Sequence, residues 1–212
     1  IKRGNAMLIT YKVELKPTDK QAWLIDQQIA GSRWAYNLFL DINRQRYECG
    51  YHYMNAYEFS KWFNHAYLKA NPDDQWIKEL SAKSIKQAFI DADTAMKRFF
   101  KKRRGYQHWS SFKRGQGSDY FVKNSQKQII ACERQRIKLP RLGWIRLKEY
   151  GYIPTDAEHF VIKQGRVKVK AGRYYLTCVV EQADSLQPIL DGCPIGIDLG
   201  LKNFAILSNG ST

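Results

Sequence analysis

The chain has 212 residues, of which 44% are apolar, so it can bury a core and is not a disordered tail. Its 35 lysines and arginines outnumber its 20 aspartates and glutamates. No signal peptide is visible, and no apolar run reaches the roughly 18 residues of a membrane span. The four cysteines are dispersed without a C-x-x-C pair. They argue against a zinc site in this stretch and predict reduced thiols in a cytosolic protein, packed as small buried hydrophobes.

The first predicted elements are a strand followed by helices. Residues 8–15 alternate well enough for a strand, and Thr18 with Gln21 has the spacing of a helix capping box. Helical periodicity then continues, with a break near Gly31 and a stop at Gly50. We therefore predict one strand and then two helices that meet near Gly31.

Two further helices follow in the sequence. Asn55 and Glu58 are predicted to cap the third helix, which ends before Pro72. Ser81 begins the fourth, whose apolar residues recur at alternating spacings of four and three, and which ends in the basic run KRFFKKRRG. Aromatic and methionine stripes of this kind are typical of a helical core rather than of a cofactor site.

After Gly105 the pattern becomes that of strands. Four segments are strand-like, and Ala171-Gly172 is a candidate hairpin turn. The segments are QIIACERQRIKLP, GWIRLKEY, HFVIKQGRVKVKAG and RYYLTCVVEQ. The first strand has no early partner, so pairing it with these late strands makes the helices an insertion in a small β-barrel. A linker around ADSLQPILDGCP leads to PIGIDLGLKNFAILSNGST, which predicts two short strands with Asp198 between two glycines on one face.

Positive charge is concentrated between Lys97 and Lys148, where sixteen basic residues accompany two acids. Such a concentration favours nucleic acid as a partner over an acidic membrane surface, because no amphipathic membrane helix accompanies it. The end of the fourth helix has more cations than an interaction with the helix dipole requires, so we predict phosphate contacts. The predicted phosphate-binding residues are Lys97, Arg98, Lys101, Lys102, Arg103, Arg104, Lys113 and Arg114.

Two other segments carry candidate binding residues. In RIKLPRLGWIRLK, cations alternate with apolar residues, which predicts a basic sheet face over an apolar one, with a merely solvated face as the alternative. Its candidates are Arg136, Lys138, Arg141 and Arg146. In GSRWAYNLFL, Arg33, Tyr36 and Asn37 share one helix face, which fits RNA contact and a structural hydrogen-bond network equally.

Taken together, four segments resemble the TnpB proteins of bacterial insertion sequences, which are related to the type V CRISPR effectors. SRWAYNLFL, LSAKSIKQAFIDADTAMKRFFKK, RIKLPRLGWIRLK and GIDLGLKNFAI have the family's order and spacing, and the resemblance extends from Met7 to Thr212. It implies an α+β fold, in which a helical recognition domain interrupts a wedge β-barrel similar to oligonucleotide-binding folds. The first hairpin of a RuvC domain of the RNase H fold then follows. The segment GYQHWSSFK departs from the family's frequent Gly-aromatic-Pro sequence.

The resemblance also implies a division of the chain into domains. We expect the first wedge strand (7–16), the helical recognition domain (17–105), the wedge β-barrel (106–183), a linker (184–193) and the start of the RuvC-like domain (194–212). Residues 1–6 precede Met7 and are expected to be a cloning scar.

The activity implied by the resemblance is RNA-guided DNA cleavage beside a short adjacent motif. The implied partners are a guide RNA and target double-stranded DNA in the bacterial or archaeal cytoplasm. Asp198 matches the first catalytic carboxylate and would be a ligand of Mg²⁺, because two-metal cleavage needs several carboxylates. A structural aspartate at the end of a strand is the alternative. The family's other carboxylates and its zinc-binding C-x-x-C pairs lie beyond Thr212. We therefore expect this chain alone not to cut DNA.

The family's segments further place candidate contacts with the adjacent motif on five residues. These are Asn55, Lys83, Lys86, Lys123 and Asn124. Asn124 has base-reading chemistry, because an amide can pair bidentately with adenine. Solvated surface is the alternative for each of them.

Two other classes of function stay open. One is a nuclease-free protein, either a guide-dependent repressor or a simple RNA-binding module. The other is an ATPase, because IGIDLG also resembles the phosphate-binding hairpin of actin-like ATPases and sugar kinases. Those proteins usually have Thr or Ser where Leu201 follows Gly200, and they place the hairpin at the start of the fold.

Overall fold

The computed structural model describes residues 7–100, 119–126 and 129–182, together with the backbone of residues 197–198 and 206–207. The helices are α1 (Asp19–Glu48), α2 (Ala56–Trp62), a π-helical turn (Phe63–Tyr67), α3 (Leu68–Ala70), a 3₁₀ helix (Pro72–Glu79) and α4 (Ala82–Phe100). The strands are β1 (Met7–Lys16), β2 (Asp119–Lys123), β3 (Ala131–Glu133), β4 (Arg136–Leu139), β5 (Gly143–Leu147), β6 (Phe160–Lys170), β7 (Arg173–Gln182), β8 (Ile197–Asp198) and β9 (Ile206–Leu207). None of the helices in these ranges is long and apolar enough to cross a membrane.

Seven strands form one antiparallel sheet in the order β2-β6-β7-β1-β5-β4-β3. Strand β1 pairs with β7 from Met7 to Leu15, and it pairs with β5 through Leu15 and Lys16. The predictions of an α+β fold and of an early strand that pairs with late ones are confirmed. The helices are inserted between β1 and the rest of the sheet.

The sheet is open, so the prediction of a β-barrel is wrong for the described strands. Its edges are β2 and β3, which do not pair with each other. Asn124 lies directly after the edge strand β2. Its amide group donates to the carbonyl of Ile162 and accepts from the backbone N–H of Ile130. These two hydrogen bonds tie the residue after β2 to β6 and to the residue before β3.

The core of the sheet lies on one of its faces and is completed by the first half of α1. Buried residues of six strands pack there, and Ile25 and Ile29 of α1 belong to the same core. The second half of α1 instead belongs to a helical core with α2 and α4, to which it contributes Ala35 and Phe39. One helix thus contributes to both cores.

Helix α1 runs without interruption for 30 residues, so the predicted break near Gly31 is wrong. A Cβ atom on Gly31 would lie 2.0 Å from Cδ1 of Leu80. The absence of a side chain at Gly31 therefore lets Leu80, the residue after the 3₁₀ helix, pack closely against α1. The glycine does not end a helix. The predicted capping box at Thr18 is present, and the predicted stop at Gly50 is confirmed by its positive φ of 75°.

The helical core is rich in aromatic side chains, as the stripes predict. Phe59 lies 4.8 Å from Phe39 and 4.9 Å from Phe89 between ring centroids, and Phe63 lies 5.2 Å from Phe89. The predicted caps are also found: Asn55 and Glu58 form a capping box at α2. The Ser81 hydroxyl accepts from the N–H of Ser84 in the first turn of α4. The 3₁₀ helix that precedes α4 was not predicted.

Polar contacts hold α4 against the sheet edge formed by β2 and β6. The guanidinium of Arg166 donates to Asp91 at 2.8 Å and to Asp119 at 3.0 Å. Beside this pair, the Ser84 hydroxyl accepts from the backbone N–H of Phe121 at 3.2 Å. Each of these polar groups therefore has a hydrogen-bond partner between α4 and the sheet, so none of them is left unsatisfied there.

Two hairpins were predicted in the strand-rich half. The β6–β7 hairpin turns at Ala171 and Gly172, whose φ values of 49° and 70° are of the sign that a two-residue type I′ turn requires. Near the end of the chain, β8 and β9 pair antiparallel, with Asp198 opposite Ile206. A predicted pair of strands is therefore found there, although each strand has only two residues.

The cysteines only partly match the prediction of buried thiols. Cys178 is buried, Cys132 is half-buried and Cys49 is exposed, while Cys193 lies outside the described residues. Burial raises the pKa of Cys178 to about 12 and that of Cys132 to about 11. These two thiols are therefore protonated near neutral pH and unsuited to nucleophilic chemistry.

Candidate nucleic-acid interface

The outward face of the sheet carries the cations that the alternation in RIKLPRLGWIRLK predicts. In β4, Ile137 and Leu139 are buried while Arg136 and Lys138 are exposed. In β5, Arg146 is likewise exposed between buried neighbours. The prediction of a basic face over an apolar one is confirmed. We call this surface the basic face.

Three cations on the basic face form a row across neighbouring strands. Lys16 of β1 is the register partner of Arg146 of β5, and Arg146 is the register partner of Arg136 of β4. Because neighbouring strands lie about 4.8 Å apart, the row extends over about 10 Å. At its end, Arg136 pairs with Glu133 at 2.6 Å and lies 4.7 Å from the ring centroid of Trp144. The row presents closely spaced positive charge, which suits a phosphate backbone.

Several cations of the basic face were missed by the sequence interpretation. Lys12, Lys168, Lys170 and Arg173 are exposed on β1, β6 and β7. Lys12 lies over the ring of Tyr175, with 5.2 Å between Nζ and the ring centroid. The signal was present as alternation in YKVELK and RVKVK, but it lies outside the segment between Lys97 and Lys148 where charge is concentrated.

A buried acid, Glu14, lies among these cations. The residue is 4% exposed. Its carboxylate oxygens lie 2.7 Å from Nζ of Lys16, 3.0 Å from Nζ of Lys148 and 4.0 Å from Nη1 of Arg173. Hydrogen bonds from Lys16 and Lys148 lower the pKa of Glu14 to about 2. The acid therefore stays ionised at any physiological pH.

We expect Glu14 to make the fold sensitive to acid. Because its pKa is lower in the folded chain than its ordinary value of 4.5, its ionisation favours the folded state above pH 4.5. That contribution is lost as the pH falls from 4.5 towards 2. Thermal unfolding followed by circular dichroism should show a smaller decrease of Tm over this range in Glu14→Gln than in the wild type. Glu79→Gln, at an exposed position, should behave like the wild type; equal slopes in all three proteins would contradict the expectation.

Of the predicted residues on α1, Tyr36 belongs to the helical core. Tyr36 is 7% exposed, and burial, with a smaller effect of nearby Asp91, raises its pKa. Arg33 and Asn37 are half-buried. Burial of Tyr36 favours the structural alternative for this residue.

The predicted contacts with the adjacent motif have different surroundings. The side chain of Asn55 accepts from the N–H groups of Tyr57 and Glu58 as the cap of α2. Lys83 donates to the hydroxyl of Ser125. Lys123 and Lys86 are exposed, and Lys86 helps to line a cleft of about 160 Å³ whose walls include Phe63 and Phe89.

Asn124 is the predicted residue whose surroundings argue most clearly against its assigned role. Its Nδ2 donates to the carbonyl of Ile162 at 2.8 Å, and its Oδ1 accepts from the N–H of Ile130 at 3.2 Å. Bidentate pairing with adenine needs both of these atoms. In this conformation the amide instead holds the connection between β2 and β3.

The basic run at the end of α4 is described only in part. Lys97 forms an ion pair with Asp93 at 2.8 Å, and Arg98 is exposed. The remaining predicted cations of this region lie outside the described residues: Lys101, Lys102, Arg103, Arg104, Lys113 and Arg114. Between β4 and β5, Arg141 is exposed, has a positive φ of 66° and donates to the carbonyl of Glu79.

Asp198 is described through its backbone, which belongs to the β8–β9 pair. Its side chain lies outside the described part, so its role as a metal ligand stays a prediction. Within the described ranges, Asp156, Glu158 and His159 bring ligand-type atoms within 4.8 Å of one another on the surface. Asp156 there already accepts from the backbone N–H of Glu158 and pairs with the His159 ring, as in an ordinary turn before β6.

Comparison with known proteins supports the family resemblance. A model of a helix-turn-helix domain, HTH_OrfB_IS605, matches residues 7–51, which here form β1, the continuous helix α1 and the turn after it. The chain is also 26% identical over 204 residues to "Putative RNA-guided DNA endonuclease InsQ" of Escherichia coli strain K12. This similarity covers 96% of the chain and 48% of InsQ, so the chain spans about half the length of this curated relative. The motif order, the matched domain and the similarity to InsQ fit the N-terminal portion of the TnpB family of insertion-sequence proteins and bear out the resemblance.

Proposed function

We propose that this chain is the nucleic-acid-binding portion of a transposon-encoded, RNA-guided DNA endonuclease. The observation that carries the proposal is the similarity to InsQ along 96% of the chain. The basic face provides a surface of the chemistry that such a protein needs. In this proposal a guide RNA and target double-stranded DNA are the partners. The similarity to InsQ also favours a nuclease over an actin-like ATPase.

The two layers of the fold would have separate roles in this function. We assign the open sheet to the wedge domain and the helices to the recognition domain. The β8–β9 pair would then begin a RuvC-like nuclease domain, with Asp198 as its first carboxylate. Mg²⁺ bound there would stabilise the charge that develops on the scissile phosphate, provided that further carboxylates complete the site.

The basic face is the part of this proposal that the chain can test alone. Each phosphate neutralised on a single strand changes the slope of log K against log salt by about 0.7. Arg136 and Arg146 are side by side in register, and both are exposed. We expect Arg136→Ala/Arg146→Ala to weaken RNA binding and to flatten this slope by about 1.4.

The measurement is fluorescence polarisation of a labelled single-stranded RNA over a series of KCl concentrations. Lys61→Ala/Lys69→Ala is the matched control, because it removes the same charge from exposed positions in the helical layer. Circular dichroism should confirm that both variants fold. An unchanged slope for the arginine pair, or the same loss in the control, would show that the basic face is a solvated surface.

A further inference from the structure

Glu14 and the three cations around it form a cluster in which the acid is buried and the cations are exposed. The side chain of Glu14 is 5% exposed, whereas those of Lys16, Lys148 and Arg173 are 56%, 52% and 61% exposed. The buried carboxylate therefore contacts the cations from the protein side and leaves their other sides open to solvent. A lysine ammonium has three N–H donors and a guanidinium has five, so donors remain for a ligand from solvent.

The backbone fixes this arrangement. Lys148 donates its backbone N–H to the carbonyl of Glu14 at 2.9 Å, and the N–H of Glu14 donates to the carboxylate of Glu149 at 2.9 Å. The cluster thus contains three cations and two carboxylates, and the carboxylate of Glu14 is buried. Lys16 also continues into the row with Arg146, which adds positive charge beside the cluster.

A buried acid in a basic surface has two opposing effects on an anionic ligand. Its negative charge repels the ligand and weakens binding. Its hydrogen bonds, however, hold long side chains that would otherwise lose rotamer freedom when the ligand binds, and this preorganisation strengthens binding. The two effects predict changes of opposite sign when the charge of Glu14 is removed.

We propose that Lys16, Lys148 and Arg173 form a preorganised binding site for one backbone phosphate of a nucleic acid, with Glu14 as its positioning residue. The inference rests on the proposed function, because it assumes that the basic face binds a nucleic-acid backbone. A phosphate fits the cluster because its oxygens can accept from several cationic donors at once, and hydrogen bonds between ionised groups are the strong ones.

The first experiment compares Glu14→Gln with Glu181→Gln in the 212-residue chain. Glu181 lies on β7 and pairs with Lys163, so its substitution makes the same charge change away from the cluster. With labelled single-stranded RNA, Glu181→Gln should bind slightly tighter than the wild type. Glu14→Gln should bind about three- to tenfold more weakly, because the ordering cost of two or three side chains returns. Tighter binding by Glu14→Gln would overturn the inference.

The second experiment counts phosphates and does not require Glu14→Gln to fold. If Lys16 and Lys148 hold one phosphate together, Lys16→Ala/Lys148→Ala should reduce the salt slope by about 0.7. Two independent contacts would reduce it by about 1.4, as expected for Arg136→Ala/Arg146→Ala. A reduction by the larger amount, or none, would overturn the shared site.

The same titrations with single-stranded DNA distinguish the source of the phosphate. Weakening in Glu14→Gln that is confined to RNA would assign the site to the guide, and weakening confined to DNA would assign it to the target. Equal weakening would support a site that binds the phosphate whatever the sugar. If the wild-type chain shows no salt-dependent binding to either probe, the proposed function fails. If it binds but Glu14→Gln binds tighter, only this inference fails.

Discussion

In the proposed endonuclease, DNA cleavage is expected to fall about a thousandfold when Asp198 is replaced by Ala. A metal ion held by this carboxylate would stabilise the transition state by several kcal/mol, and each 1.36 kcal/mol is tenfold in rate. RNA binding should be unchanged, because the basic face lies on the other sheet. Cleavage is measured by gel electrophoresis of a target plasmid with guide RNA and Mg²⁺.

Asp198→Asn is the sharper companion of this substitution, because it keeps the size of the side chain and removes the charge that a metal needs. Asp119→Asn is the control, since Asp119 pairs with Arg166 at the edge of the seven-stranded sheet. Full cleavage by Asp198→Ala would assign Asp198 to a structural role. No cleavage by the wild-type protein with its guide and target would instead favour the nuclease-free alternative.

The second large effect concerns the helical core. Phe39 is fully buried, and its ring lies 4.8 Å from Phe59, 6.2 Å from Tyr53 and 6.4 Å from Phe89 between centroids. Replacing it with Ala leaves a cavity among these packed rings, so we expect the free energy of unfolding to fall by about 3–5 kcal/mol.

Urea denaturation followed by tryptophan fluorescence measures this loss. Tyr57→Ala is the control, because Tyr57 is 74% exposed and its removal should change stability by about 0.5 kcal/mol or less. A loss below about 1.5 kcal/mol in Phe39→Ala would mean that the aromatic cluster repacks around the missing ring.

Local signals in the sequence predicted the elements that depend on a few neighbouring residues. The capping boxes at Thr18 and Asn55, and the turn at Ala171 and Gly172, each involve chemistry within about four residues. Alternation in β4 and β5 predicted which cations are exposed, because side chains of a strand point to opposite faces. The part of the candidate site on these two strands was therefore predictable.

Features that depend on distant contacts were not predictable in the same way. Gly31 has the sequence signature of a helix break. Its glycine is required instead by the close packing of Leu80, which lies far along the chain. Asn124 has the chemistry of a base-reading residue until Ile130 and Ile162 are placed beside it. The cluster at Glu14 joins β1 to residues more than 130 positions later, so no window of the sequence contains it.

The sharing of α1 between the two cores limits how this protein can be recombined with its relatives. Ile25 and Ile29 contact the sheet, whereas Ala35 and Phe39 contact the other helices, and no loop separates the two pairs. A chimera that exchanges the helices together with all of α1 would import foreign side chains into the sheet core. The suitable N-terminal crossover for such an exchange is the turn at Gly50, which keeps α1 with the sheet and requires only its second half to match the new helices.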